Sequence, residues 1–334
     1  MRIMRAVLAA AAATALLAGC VQGEDAPAET AGGGKAVSLR LDYAYYNPAS
    51  LVLREQKWLE TDLAAQGVTV SWQLSAGSNK ANEALRAEAI DVGSTAGAAA
   101  LVARANGAPI KTIDVFSQPE WAAIVVPKDS AIADVAGLKG KKIAATKGTD
   151  PYFFLLQALD EAGLKPADVT VTNLQHADGK TALERGDVDA WAGLDPLMAT
   201  SELDAGSKLI YRNVAFNSYG VLNAREAFLA EHPELAQAVV NAYEKARQWI
   251  KDKPAEAVAL YAREARISEQ VAKKVLTERT RLDVDPVPGD AQRGVFEKIL
   301  PVLVADANVK SEADARTAID SLFEPKYATA RSVS

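Results

Sequence analysis

Cysteine and histidine are nearly absent from this chain of 334 residues, which has one of the first and two of the second. A lone cysteine excludes an intramolecular disulfide. With His176 and His232 far apart in sequence, a Cys/His zinc site is excluded as well. A Ser-His-Asp triad would need one of these two histidines, and neither stands in a nucleophile context. Neither a metal nor a cofactor is expected. Positive charge is not in excess either. The formal net charge of −6 gives no general argument for nucleic acid or for anionic membrane surfaces. Beyond the first 18 residues no apolar run reaches membrane-span length. What remains, 49% hydrophobic and 24% charged residues, is an ordinary globular composition, long enough for two domains.

The position of the one cysteine carries information. Arg2 and Arg5 precede an apolar run from Ala6 to Ala18, which ends in Leu17-Ala-Gly-Cys20. A structural cysteine would not explain basic, apolar and small residues in that order. The segment resembles a bacterial lipoprotein lipobox. That resemblance implies a signal peptide over residues 1–19, lipidation of Cys20 and export. Residues 20–36 read as a polar, Gly-rich tether with nothing to bury.

The body begins near Val37 and alternates strand and helix. Strands are expected at Val37–Tyr43, Val68–Leu74, Ile90–Gly93 and Ile110–Phe116, with helices between them; Ser50 can cap the first. Such βα units imply a parallel sheet with helical crossovers. The pattern then restarts, with strands at Lys141–Thr146, Val169–Leu174, Val188–Leu194 and Lys208–Tyr211. From Arg225 onward the chain is almost entirely helical. Two extended segments, near Trp121–Val125 and Asn217–Leu222, read as the two crossings of a hinge. The expected fold is therefore α/β with two lobes: residues 37–120 and 218–325 in lobe 1, and residues 121–217 in lobe 2. The C-terminal helices pack on lobe 1, and residues 326–334 form a mobile tail.

Three stretches carry a family resemblance: Val125-Val-Pro-Lys-Asp-Ser130 with Asp134-Val-Ala-Gly-Leu-Lys-Gly-Lys-Lys-Ile-Ala-Ala-Thr-Lys-Gly148, then Ala89-Ile-Asp-Val-Gly-Ser-Thr95, and Gly186-Asp-Val-Asp-Ala-Trp191 with Asp195-Pro196 after it. In this order they resemble the periplasmic binding proteins for sulfonates, taurine and nitrate, the aliphatic-sulfonate group most of all. The resemblance implies a type II periplasmic-binding-protein fold and a role as the receptor of an ABC importer. The chain would take a small organic ligand in the interlobe cleft and deliver it to the permease and ATPase subunits. It would do so as a monomer held to the extracytoplasmic face of a membrane by its lipid, without catalysis. Taurine, an aromatic sulfonate, nitrate, a pyrimidine precursor or an amine-bearing ligand are alternatives. An enzyme on the same fold is a further one, unsupported by any nucleophile–base pair.

Candidate ligand contacts follow from where strands end and helices begin. In open α/β sheets ligands sit at the carboxyl ends of strands, which selects Trp191 and Asp195. Their structural alternatives are a core tryptophan and a cap for a helix over Leu197–Leu203. Helix N-termini attract anions through unpaired N–H groups. One such terminus is expected after Ser94 and Thr95, with free donors around Ala96 and Gly97. The other is Lys147-Gly-Thr149-Asp150-Pro-Tyr152. There Asp150 before Pro151 reads as a cap or as the partner of a cationic ligand group. Tyr45, Tyr46 and Asn47 follow the first strand, and with Trp121, Tyr152 and Trp191 the tyrosines offer aromatic walls. Gly77 opens a helix, and Gln118 lies just before the first crossing. Glu120, His176 and Asp178 read as solvated surface positions.

Overall fold

A computed structural model describes residues 37–332 of the chain. The expected lipid-attachment residue Cys20, the signal peptide and the tether over residues 20–36 lie outside the described residues. Lobe 1 opens with β1 (Val37–Tyr43), α1 (Pro48–Gln56), α2 (Trp58–Ala64), β2 (Val68–Leu74), α3 (Ser78–Arg86), β3 (Val92–Ala96), α4 (Gly97–Ala105) and β4 (Ile110–Ser117). Lobe 2 holds β5 (Ala122–Val126), β6 (Lys142–Ala145), α5 (Asp150–Glu161), β7 (Thr170–Asn173), α6 (His176–Arg185), β8 (Ala190–Leu194), α7 (Leu197–Asp204) and β9 (Lys208–Tyr211). The chain then returns with β10 (Gly220–Arg225) and continues as α8 (Glu226–Glu231), α9 (Pro233–Asp252), α10 (Pro254–Ala265) and α11 (Glu269–Lys273). The last runs into a π-helical turn, Lys274–Arg279. α12 (Asp290–Ala305), α13 (Glu312–Leu322) and α14 (Lys326–Thr329) complete the chain.

The two sheets are built alike, in the orders β2-β1-β3-β10-β4 and β7-β6-β8-β5-β9. Neither is purely parallel, as the βα alternation alone had implied. β10 runs antiparallel to both β3 and β4, and β5 antiparallel to both β8 and β9. Each is the first strand after a crossing, so it enters its sheet from the opposite end and takes an inner place.

Helix α5 lies at the junction of the lobes. Residues Asp150–Leu159 are buried on every side, a pattern that belongs to a helix covered all round rather than to an amphipathic one. The lobe 2 sheet covers one side, through β5, β6 and β8; α4 of lobe 1 and α12 cover the other. Burying Phe153, Phe154, Leu155 and Leu156 contributes roughly 1.5–3 kcal/mol each.

Local chemistry explains several departures from expectation. The first helix is capped by Asn47, whose side chain accepts from the Ser50 N–H; Ser50 sits inside the helix. The helical stretch between the first two strands is broken at Lys57, which is left-handed with φ 53°. The third strand runs past Gly93 to Ala96, so Ser94 and Thr95 are sheet residues. The start of the expected mobile tail is instead a docked helix: Tyr327 and Ala328 are buried, and the Gln237 amide donates to the Tyr327 carbonyl. Among the described residues no helix is long and apolar enough to cross a membrane.

Candidate functional site

The two crossings between lobes are fastened by one carboxylate. Asp150 Oδ2 accepts from Trp121 Nε1 at 2.8 Å and from the Ser218 N–H at 2.8 Å, and Asp150 Oδ1 accepts from Ser218 Oγ at 2.5 Å. Trp121 belongs to the first crossing and Ser218 to the second. Asp150 is thus the first residue of α5 and not its cap, with its carboxylate turned to the two crossings. Thr149 takes the cap position, with its hydroxyl donating to the Thr146 carbonyl instead. Asp150 is buried, and desolvation pushes its carboxyl up to about 6 against the pull of these bonds.

The same crossing fills the α4 N-terminus. The Gly97 N–H donates to the Ser218 and Tyr219 carbonyls, the Ala98 N–H to Ser218 Oγ, and the Ala96 N–H to Ser78 Oγ. The donors expected to be free for an anion are all satisfied by protein. Gly97 is required by close approach. A β-carbon there would lie 2.3 Å from the Ser218 carbonyl oxygen.

Other candidates also turn inward. Ser94 donates through N–H and Oγ to Asp42, and Thr95 donates to the Ala96 carbonyl while accepting from Asn223; both are fully buried. Tyr46 donates to the Ser94 carbonyl at 2.8 Å and meets Trp121 edge-on, with ring centroids 5.8 Å apart. Tyr45 is half-buried beside α10, its carbonyl accepting from Tyr261 Oη. Asn47 caps α1 and reaches Tyr243. Tyr152 donates to Asp306, tying α5 to the end of α12. The Gln118 N–H is held by the Arg281 carbonyl. Trp191 is a core residue of lobe 2, packed with Ala123, Val125, Ala144 and Leu183 on the face that α6 covers. Asp195 caps α7 through the Ala199 N–H and pairs with Arg279 at 3.1 Å, both residues being 2% exposed. Burial pushes Asp195 up to about 6 while Arg279 pulls it down, and the guanidinium keeps its charge. The aromatic and acidic residues chosen from sequence build the hinge and the cores.

The lobes meet at two other helix N-termini, those of α3 and α6. Gly77 precedes α3 and Gln175 precedes α6, and neither gives a side-chain cap. A β-carbon on Gly77 would lie 3.0 Å from His176 Nε2 and 2.8 Å from Asn79 Oδ1; one on Gly148 would lie 3.6 Å from Asn79 Cβ. Gly77 and Asn79 belong to lobe 1, Gly148 and His176 to lobe 2. Gly148, at φ +77°, is left-handed, which favours glycine. Four buried polar atoms on these two helices find no partner among the described residues: Asn79 Oδ1, Asn82 Oδ1, Gln175 Oε1 and His176 Nε2. A buried polar atom left unpaired costs about 1–3 kcal/mol, so these four atoms make the junction the candidate site. Of these residues sequence reasoning selected only Gly77. It placed His176 at the surface, whereas the residue is 2% exposed. Glu120, read as a surface position, is partly covered and pairs with Arg212; Asp178 is exposed.

Several buried carboxyls give the protein a pH signature. Burial pushes Asp42 and Asp114 up to about 7 and Asp150 to about 6, from an ordinary 3.8. A carboxyl raised in this way adds stability that is fully present below 3.8 and is lost as pH climbs through the folded value. Buried His176, pushed down to about 3, acts oppositely below its ordinary 6.5. With Asp195, also pushed up to about 6, four carboxyls outweigh one imidazole. The urea midpoint is therefore expected to fall between pH 5 and pH 8, by on the order of 6 kcal/mol of stability. A midpoint that rises over that range would contradict these assignments.

Two α/β lobes joined by two crossings, with polar helix ends meeting between them, define a periplasmic-binding-protein fold of the second type. The chain belongs to the NMT1/THI5-like family, whose model matches residues 63–257. A Bacillus subtilis (strain 168) protein named for aliphatic sulfonate binding is 30% identical over 229 residues, covering 68% of this chain and 69% of that one. Among solved structures, the alkanesulfonate-binding protein of Xanthomonas axonopodis pv. citri bound to MOPS superposes with a TM-score of 0.77. It is 24% identical, with 86% of this chain and 99% of that chain covered. The fold also carries a desulfurization enzyme, 14% identical with a TM-score of 0.64 over 88% of this chain and 98% of that one.

Proposed function

We propose that this protein is the solute receptor of an ABC importer and that it captures a small organic sulfonate between its lobes. The observation that carries the reading is the meeting of α3 and α6, one from each lobe, with unpaired buried polar atoms on both. Helix N-termini present amide donors and positive partial charge, which suits an oxyanion. The sulfonate class comes from the names of the relatives. Residues 118–121 and 212–219 act as the hinge, and the ligand favours the closed state because only there do both helix ends reach it. Cys20 carries the lipid that keeps the receptor at the extracytoplasmic face, and the permease and ATPase subunits receive the ligand.

A thermal-shift titration of the chain from residue 21 with short alkanesulfonates tests this. A ligand at about a hundred times its dissociation constant adds roughly 2.7 kcal/mol, which raises Tm by about 5 °C. No shift with any sulfonate, beside a clear shift with another class of solute, would refute the sulfonate assignment. The desulfurization fold relative motivates a second reading, in which the bound sulfonate is cleaved. Release of sulfite by the purified protein would support that reading instead.

A further inference from the structure

The protonation of His176 is fixed by its neighbours. Thr146 Oγ1 donates to the Leu174 carbonyl at 2.7 Å and lies 3.1 Å from His176 Nδ1. A hydroxyl has one proton. Since that proton is committed to the carbonyl, the Thr146 oxygen can only accept at its second contact, so His176 carries its hydrogen on Nδ1. Its Nε2 is then a bare lone pair. Nε2 lies 3.0 Å from where a β-carbon on Gly77 of the other lobe would stand, and it is buried with no partner among the described residues. Burial alone opposes a second proton on the ring and holds its ionisation down near 3, so the neutral form is the one present at pH 7.

A sulfonate oxygen has no proton to offer such an acceptor. Asn79 Oδ1, a second unpaired acceptor, approaches the same point above Gly77 from lobe 1. The two atoms lie within 3.0 Å and 2.8 Å of that point, so no more than ~6 Å separates them. At separations below that limit, one nitrogen or oxygen donor beside Gly77 can reach both with hydrogen bonds of about 2.9 Å. We propose that His176 and Asn79 select a ligand that carries a hydrogen-bond donor, an ammonium or a hydroxyl group, in addition to its acidic group. This rests on the receptor reading above and narrows it. The helix ends hold the acid, and the two acceptors read the donor across the closing lobes. A ligand that ends in a methyl group leaves both acceptors buried and unpaired, a penalty that sites built for a polar group impose on apolar analogues.

Three probes of matched length separate the possibilities: propane-1-sulfonate, 2-aminoethanesulfonate and 2-hydroxyethanesulfonate. Calorimetric titration is expected to show at least one donor-bearing probe binding about tenfold or more tighter than the alkyl one. The preference is expected to disappear in His176→Phe and to return in part in His176→Gln, which again places an acceptor there. The ratio between ligands is the readout, because a merely structural loss would weaken all three alike. Independently, 15N NMR of the imidazole in the unliganded protein is expected to show a proton on Nδ1 and none on Nε2. Equal affinities for all three probes, or a protonated Nε2, would overturn this inference while leaving sulfonate capture intact. Failure of every sulfonate to bind would overturn the receptor reading, and this one with it.

Discussion

Asp150→Ala is expected to cost about 3–6 kcal/mol of stability and to lower Tm by roughly 10 °C, without changing which ligands bind. The size follows from the count of stranded groups. Trp121 Nε1–H, the Ser218 N–H and the Ser218 hydroxyl all donate to this one carboxylate, and all three are buried. Each buried donor left unpaired costs about 1–3 kcal/mol. Hydrogen bonds to an ionised acceptor are also the stronger kind. Asp150→Asn keeps the shape and one acceptor but turns an NH2 toward donors, so its loss should fall between wild type and alanine. Denaturant melts of the three proteins check the order. An alanine variant within 1 kcal/mol of wild type would mean that the crossings are held by packing alone. The expectation from sequence was different, since Asp150 then read as a cap or a ligand partner. Its carboxylate is turned to both crossings, and Thr149 holds the cap position.

Removing the buried cation behind the lobes should be nearly as costly. Arg279→Met is expected to lose about 3–5 kcal/mol, because it strands Asp195 as an uncompensated charge at 2% exposure. The guanidinium bonds both Asp195 and Glu202, and Glu202 also pairs with Lys274. The charge it leaves behind should report itself in pH dependence. Burial already pushes Asp195 upward, and without Arg279 nothing comparable opposes it. The variant should therefore regain stability on acidification, while wild type changes less over the same range. The double variant Arg279→Met with Asp195→Asn removes charge and counter-charge together. It should recover part of the loss, and no recovery would show that the cost lies in packing.

Much of the scaffold was legible because period and punctuation are local properties. β1, β2 and β9 have the bounds that alternation and the Pro and Gly breaks suggest. The inner, antiparallel places of β5 and β10 were not legible, since nothing in Ala122–Val126 or Gly220–Arg225 records its neighbours. The site was harder still. Ser94 follows a strand pattern and precedes an alanine-rich helix, so a cap was a fair expectation; the buried Asp42 carboxylate 52 residues away decides otherwise. Trp191 offered a large ring near a strand end, but in a β-strand successive side chains alternate between faces, and its face is the one α6 covers. His176 follows a lobe 2 strand, which allows a place at the cleft rim, but a solvated position was the expectation. Its burial depends on lobe 1 coming to meet it, a contact between parts of the chain about a hundred residues apart.

The inner position of β10 has a bearing on the order in which the molecule comes together. All the strands of the lobe 2 sheet lie within Ala122–Tyr211, so that sheet is complete once residue 211 has been made. The lobe 1 sheet is not. Until Gly220–Arg225 arrives, β3 has one bare side and β4 has no neighbouring strand, because among the described residues β10 alone pairs with it as a strand. A chain growing from its N-terminus therefore assembles its second lobe first and closes its first lobe last. The segment that closes it is the one just past Ser218, so the bonds to Asp150 and the last strand of the first sheet form in the same step.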